Sequence, residues 1–195
     1  YYSVLPGQGK YFSPQFRTQG NLPWPKNVIQ KRQQHSSDAI TDISLDWLAN
    51  AWDRDRPFFL MHHFKAPHDM FQNAPRYDDY LEDIDIPEPE NLRHQPAEGF
   101  GSVASRGYGS GLTKGHENWK LGKRLQIDQT LQEPDYSSAV YQRYLKRYLR
   151  CVKGVDDNVG RIVDYLKECG ELNNTIIFYT GDQGFFLGEH DLMDK

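Results

Sequence analysis

The sequence predicts an α/β fold, part of a mainly parallel sheet flanked by helices and incomplete in itself, and three observations carry that prediction. The run over residues 175–179 is β-branched and aromatic, with no polar residue between Ile176 and Tyr179, as in a strand buried on both faces inside a parallel sheet. A second apolar run, residues 58–64, follows an amphipathic helical pattern, giving an αβ unit. Over residues 136–170, Leu145, Tyr148, Val152, Val155, Val159, Ile162 and Leu166 recur at spacings of three and four, which draws one apolar helical stripe.

Taken in order, residues 1–35 are rich in Gly, Pro, Gln and aromatics, with Pro6-Gly7-Gln8-Gly9 and Pro23-Trp24-Pro25 as turn signals, and predict loop with a short strand or hairpin. Residues 37–50 predict a helix with Ala39, Ile40, Ile43, Leu45, Trp47 and Leu48 on its apolar side and Ser37 or Asp38 as cap. Asp53-Arg54-Asp55-Arg56 predicts a solvated turn, and Pro57 opens the strand over 58–64, whose tip delivers Lys65 and His68 to a loop. Alternating side chains on that strand cannot send His62 and His63 to the same face. Residues 69–96 hold many Pro, Asp and Glu and predict an irregular, solvated segment. Residues 97–135, Gly-rich and then basic through Lys114, Lys120, Lys123 and Arg124, predict a long surface insertion beside a cleft. In the long helix, Gly154 and Gly160 predict a break or kink and Gly170 the stop, while Asp156 and Asp157 diverge on its surface and favour solvent over a metal.

A chain of 195 residues with 37% hydrophobic content is long enough for one sizeable core. The net charge of -4 gives no basic field for nucleic acid. No run approaches a membrane span of about 18 apolar residues. Tyr1-Tyr2-Ser3 shows neither initiator methionine nor signal-peptide core, which fits an internal piece of a longer protein. Cys151 and Cys169 are expected to be reduced thiols within the helical segment.

The chemistry concentrates in Thr180-Gly181-Asp182-Gln183-Gly184-Phe185-Phe186-Leu187-Gly188-Glu189-His190. Asp182 and Gln183 stand where the strand over 175–179 should run out, and a carboxylate beside an amide there suits a hard cation. Asp-Gln-Gly also serves as a plain strand-to-loop turn. Together with Asp194-Lys195, this run resembles the second signature segment of the type I, formylglycine-dependent sulfatases of the alkaline phosphatase superfamily. Pro57-Phe58-Phe59-Leu60-Met61-His62-His63-Phe64-Lys65-Ala66-Pro67-His68 resembles the strand and loop that carry a sulfate-contacting histidine in the same family. Leu5 to Gly9 with Tyr11 and Phe12 resembles what precedes that histidine block, and reads equally as an aromatic-bearing surface loop.

The resemblance implies that residues 1–195 are a fragment of one alkaline phosphatase-like sulfatase catalytic domain, whose protein hydrolyses sulfate monoesters of a sulfated sugar, glycosaminoglycan or other organic sulfate. It implies His68 and Lys195 as catalytic residues, Lys65 and His190 as substrate-binding residues, and Asp182 and Gln183 as metal ligands, with Ca2+ ahead of Mg2+. It further implies a formylglycine nucleophile upstream, since neither Cys151 nor Cys169 is followed by Pro-x-Arg. The isolated fragment is therefore expected to be inactive. A periplasmic, secreted or lysosomal location is implied as well. A phosphodiesterase or phosphatase of the superfamily and a non-catalytic anion-binding homologue stay open as alternatives. Gln183 where the family often has Asn or His keeps an oxygen donor, which favours a single hard cation over zinc.

Overall fold

A computed structural model describes residues 1–20, 22–93, 111–114 and 121–194. The chain forms two compact units, one of Tyr1–Asp79 with Leu149–Ile177 and one of Tyr80–Tyr148 with Phe178–Lys195.

The first unit opens with a three-stranded antiparallel sheet of β1 (Ser3–Val4), β2 (Gln15–Thr18) and β3 (Val28–Gln30), in that order. Val4 stands opposite Arg17 and Phe16 opposite Ile29, which leaves Phe16 buried. Helix α1 (Ser36–Asn50) follows. Its cap is neither Ser37 nor Asp38 but His35, whose ring Nδ1 accepts from the Ser37 amide at 3.3 Å. An imidazole lone pair does the work of the usual capping oxygen here. The most buried line of α1 is Ser37, Thr41, Ser44 and Leu48, whereas Ile40, Ile43, Leu45 and Trp47 are only half-buried. The apolar face expected for this helix is thus displaced towards small polar side chains, because His62 packs there and uses the hydroxyls: its Nδ1 lies 2.8 Å from Ser44 Oγ and its Nε2 3.4 Å from Thr41 Oγ1.

Residues 58–64 show the burial alternation of a strand, with Phe58, Leu60, His62 and Phe64 half-buried and Phe59, Met61 and His63 exposed. His62 and His63 therefore take opposite faces. No ladder forms along this run, nor along residues 175–179, where Ile176 is 81% and Phe178 88% exposed. Among the described residues both sheets are antiparallel, and the parallel pairing expected for these runs is not made. The residue pattern reports which faces can be buried; a ladder needs a neighbouring strand, and no described strand pairs with either run.

Arg54, expected in a solvated turn, staples that turn down. It donates to the Leu48 carbonyl at the end of α1 at 3.2 Å and to the Tyr165 hydroxyl at 2.7 Å, with its guanidinium 4.2 Å from the Trp52 ring centre.

Helix α3 (Asp135–Glu168) is a single run of 34 residues whose part from Leu149 onwards lies in the first unit. Gly154 and Gly160 do not break it, since an interior glycine costs only about 1 kcal/mol against alanine. Gly154 instead seats Tyr77, whose Cε2 would stand 3.2 Å from an added Cβ. Asp157 is exposed, accepting from Tyr77 Oη at 2.8 Å and Lys153 Nζ at 2.6 Å. Gly170, at φ 78°, ends the helix with the Glu171 amide bonded to Leu166 O and the Gly170 amide to Lys167 O. Cys151 is buried and Cys169, just past the helix, half-buried; both are thiols.

The second unit packs α2 (Leu121–Arg124) and the first part of α3 with a hairpin of β4 (Phe186–Leu187) and β5 (Met193–Asp194). Leu92, Leu112, Leu121, Leu125, Tyr136, Val140 and Tyr144 are fully buried. Residues 97–110 and 115–120 of the expected surface insertion lie outside the described residues, as does the side chain of Lys114. The described remainder departs from that expectation at 121–127, where Leu121, Leu125 and Ile127 are core. Leucines four apart form one helical face, and only Lys123 and Arg124 of α2 face solvent. Residues 80–93 are irregular as expected, held to α3 by Gln142, which accepts from the Ile86 amide at 3.0 Å and donates to its carbonyl at 2.7 Å.

Candidate active site

Lys65 and His68 belong to the first unit, and the structure gathers both around Tyr11. The His68 amide closes a turn onto the Lys65 carbonyl at 3.0 Å. Lys65 Nζ lies 4.9 Å from the centre of the Tyr11 ring, within cation–π range. The Tyr11 hydroxyl donates to the His68 carbonyl at 2.5 Å. His68 Nδ1 lies 2.8 Å from the Asp69 carbonyl oxygen and 3.2 Å from its carboxylate oxygen Oδ1. Both partners are acceptors, so Nδ1 carries a proton. An open cleft of about 350 Å³ lies alongside, lined by Lys10, Tyr11, Phe12, Lys65, Asp69 and Gln72 among others. Two lysines against the one Asp69 carboxylate, with the Gln72 amide, leave the lining net positive and suited to an anionic, hydroxyl-bearing ligand.

Residues outside the histidine block organise this loop. Tyr11, read from sequence either as part of a stretch resembling the one before that block or as a surface-loop aromatic, is 4% exposed, and its burial pushes the phenol well above its ordinary pKa, so it stays a donor. His35 Nε2 lies 2.8 Å from the Gln72 carbonyl; since Nδ1 accepts from Ser37, Nε2 must donate. Desolvation lowers the His35 pKa and keeps that neutral tautomer.

Asp182, Gln183 and His190 belong to the second unit. Asp182 and Gln183 are adjacent and exposed between Gly181 and Gly184. They provide two oxygen donors where Ca2+ takes about six to eight. Among the described residues no group of three His, Cys, Asp or Glu side chains gathers to hold a metal. The donor chemistry fits a hard cation, and its number falls short of a complete site.

His190 is half-buried and engaged twice by Asn91, a residue without any motif of its own. Asn91 Nδ2 lies 3.3 Å from the ring Nε2, and Asn91 Oδ1 accepts from the His190 amide at 3.1 Å. His190, Asp191 and Asp194 all have positive φ, at 56°, 57° and 66°. Such backbone persists only where its surroundings over-determine it. The Asp191 carboxylate accepts from the Thr113 amide at 2.7 Å, its carbonyl accepts from the Gly111 amide at 2.8 Å, and the Asp194 amide donates to Tyr144 Oη at 2.9 Å. The segment leading to position 195 is fixed in this way, while Lys195 itself lies outside the described residues.

A family model described as Sulfatase matches residues 7–194. N-acetylglucosamine-6-O-sulfatase of Bacteroides thetaiotaomicron is 33% identical over 236 aligned positions, covering 100% of this chain and 40% of that protein. N-acetylglucosamine-6-sulfatase of Homo sapiens is 26% identical over 196 positions, covering 100% of this chain and 31% of that protein. A protein solved in complex with its substrate D-glucosamine-2-N,6-O-disulfate superposes with a TM-score of 0.79 at 32% identity, covering 98% of this chain and 45% of that one. The chain thus spans less than half the length of these relatives.

Proposed function

The chain belongs to the sulfatase family, with that family's α/β, alkaline phosphatase-like fold, and on that premise we propose that its protein hydrolyses sulfate monoesters of amino sugars, the 6-O-sulfate of glucosamine or N-acetylglucosamine first among them. The observation that carries this is the Lys65–His68 turn beside an open cleft. A fixed cation and an imidazole stand there where a sulfate and its leaving oxygen could be held. The sugar is suggested by the relatives, whose names or bound substrate are 6-sulfated glucosamines.

In this scheme Lys65 binds a sulfate oxygen as a point charge. His68 keeps one ring proton on Asp69, so a second proton at Nε2 can be donated to the leaving alkoxide as the S–O bond breaks, and the adjacent Asp69 carboxylate offsets the imidazolium charge. Lys195 is a further catalytic cation in this reading, on the resemblance of its segment to the family's. Asp182 and Gln183 would hold a calcium ion through their side-chain oxygens, and His190, oriented by Asn91, is read as substrate-binding. When bound, such an ion polarises the sulfate as a Lewis acid. The nucleophile, a formylglycine, is supplied from outside this chain. We assign the protein to a periplasmic, secreted or lysosomal compartment on the family's resemblance.

The test is sulfate release, measured by ion chromatography, from the full-length protein given N-acetylglucosamine 6-sulfate, glucosamine 2-N,6-O-disulfate and a phosphodiester control. Release from the 6-O-position, lost in His68→Ala, is expected. Turnover of the phosphodiester with no sulfate released from either sugar would sink the proposal.

A further inference from the structure

We propose that Tyr11 is a positioning residue for His68, acting through the hydrogen bond from its hydroxyl to the His68 carbonyl, which presupposes the sulfatase activity and the role of His68 proposed above. Tyr11 sits 57 residues before His68 and, although it forms part of the cleft wall, is only 4% exposed, so its phenol is held in the packing under the loop. Its own backbone is anchored, because the Tyr11 carbonyl accepts from the Ser36 amide at the head of α1 at 2.7 Å. The neighbouring residue Phe12 bridges His35, and the Tyr11 and His35 rings lie 5.5 Å apart.

From this one base two donors reach the active loop. Tyr11 Oη holds the carbonyl of His68 at 2.5 Å, and His35 Nε2 holds the carbonyl of Gln72 at 2.8 Å. The loop is thereby pinned at both ends of residues 68–72. Holding the 68–69 peptide plane restrains the backbone that carries the His68 ring and leads into Asp69, whose carbonyl, one peptide further on, meets His68 Nδ1 at 2.8 Å; the ring is thereby oriented from a restrained backbone. Misplacing a catalytic group by about 1 Å can cost on the order of 100-fold in rate. Phenylalanine at position 11 would fill the same volume and keep the ring beside Lys65, so the hydroxyl is what separates positioning from packing.

The experiment is a double-mutant cycle in the full-length protein, with Tyr11→Phe, His68→Ala and the double variant assayed for sulfate release from glucosamine 2-N,6-O-disulfate, and thermal melts beside them. Tyr11→Phe is expected to lower kcat about tenfold with KM within about twofold, and to add no further loss in the His68→Ala background. An equal loss in both backgrounds would assign Tyr11 to fold integrity alone and overturn the proposal. So would a wild-type rate in Tyr11→Phe while His68→Ala is impaired, which leaves the sulfatase activity standing. Full activity in His68→Ala would remove the role of His68, and no sulfate release by the wild-type protein would remove the activity, each taking the proposal with it.

Discussion

Burial against Thr41 and Ser44 holds His62 neutral. Desolvation, with a smaller contribution from the neighbouring His63, pushes its pKa from 6.5 down to about 4. The sign of the linkage follows. Above pH 6.5 neither state binds the proton. As pH falls from 6.5 towards 4 the unfolded chain is protonated while the native site is not, so stability falls, by ~1.4 kcal/mol per pH unit at most. Below about 4 both states are protonated and the loss levels off. Urea midpoints of His62→Gln measured across this window should be flatter than those of the parent, and parallel curves would refute the assignment. Asp38 behaves in the opposite sense. Its carboxylate accepts from Arg76 at 2.6 and 2.7 Å and from Asn158 at 2.8 Å. Although desolvation opposes ionisation, these bonds hold its pKa below the ordinary value, so its contribution is present above that value and fades as pH falls through the folded pKa. Asp38→Ala, which takes one acceptor from the fully buried Asn158 amide while its bond to the Gly154 carbonyl stays, and removes both acceptors of Arg76, is expected to cost about 1–3 kcal/mol in a denaturant titration near neutral pH.

Glycines within the helices work by what they leave empty. A Cβ added to Gly122 of α2 would fall 1.7 Å from the Tyr136 hydroxyl and 2.7 Å from its Cζ, so this turn of helix exists only because the residue has no side chain. Gly122→Ala should therefore destabilise by about 1–3 kcal/mol despite alanine's better helix propensity, read as a lowered melting temperature; an unchanged or raised one would show that Tyr136 can move aside at no cost. Helices α1 and α3 were legible in the sequence because a 3.6-residue period survives any tertiary context. What the period could not show is which side chains fill the face, and so Thr41, Ser44 and the cap His35 went unseen. His68 and Lys65 are proposed from a local motif that resembles a family. Tyr11 entered only as part of a stretch resembling what precedes that block, and the bonds made by Tyr11, His35 and Asn91 gave no signal, since a side chain reaching a carbonyl or ring 57, 37 or 99 residues away leaves no spacing to read.

At the scale of the whole molecule the exposed apolar runs matter most. Phe59 is 85% and Met61 65% exposed in the first unit, and Phe178 is 88% and Tyr179 77% exposed in the second. Their compositions are those of strands with buried faces, and each large apolar side chain left in water forgoes about 1.5–3 kcal/mol of burial. The relatives carry more than twice this length, which offers such faces something to pack against. The 195-residue chain by itself should consequently bind a hydrophobic dye and self-associate as its concentration rises, because unpaired apolar runs template further pairing. Lysine at positions 59 and 178, as Phe59→Lys and Phe178→Lys, should reduce both effects in the isolated chain and impair folding of the full-length protein, where the same faces would have to be buried. If the double variant instead leaves the full-length protein fully stable, these runs remain solvent-facing there too, and the sheet expected from their sequence is built from other segments.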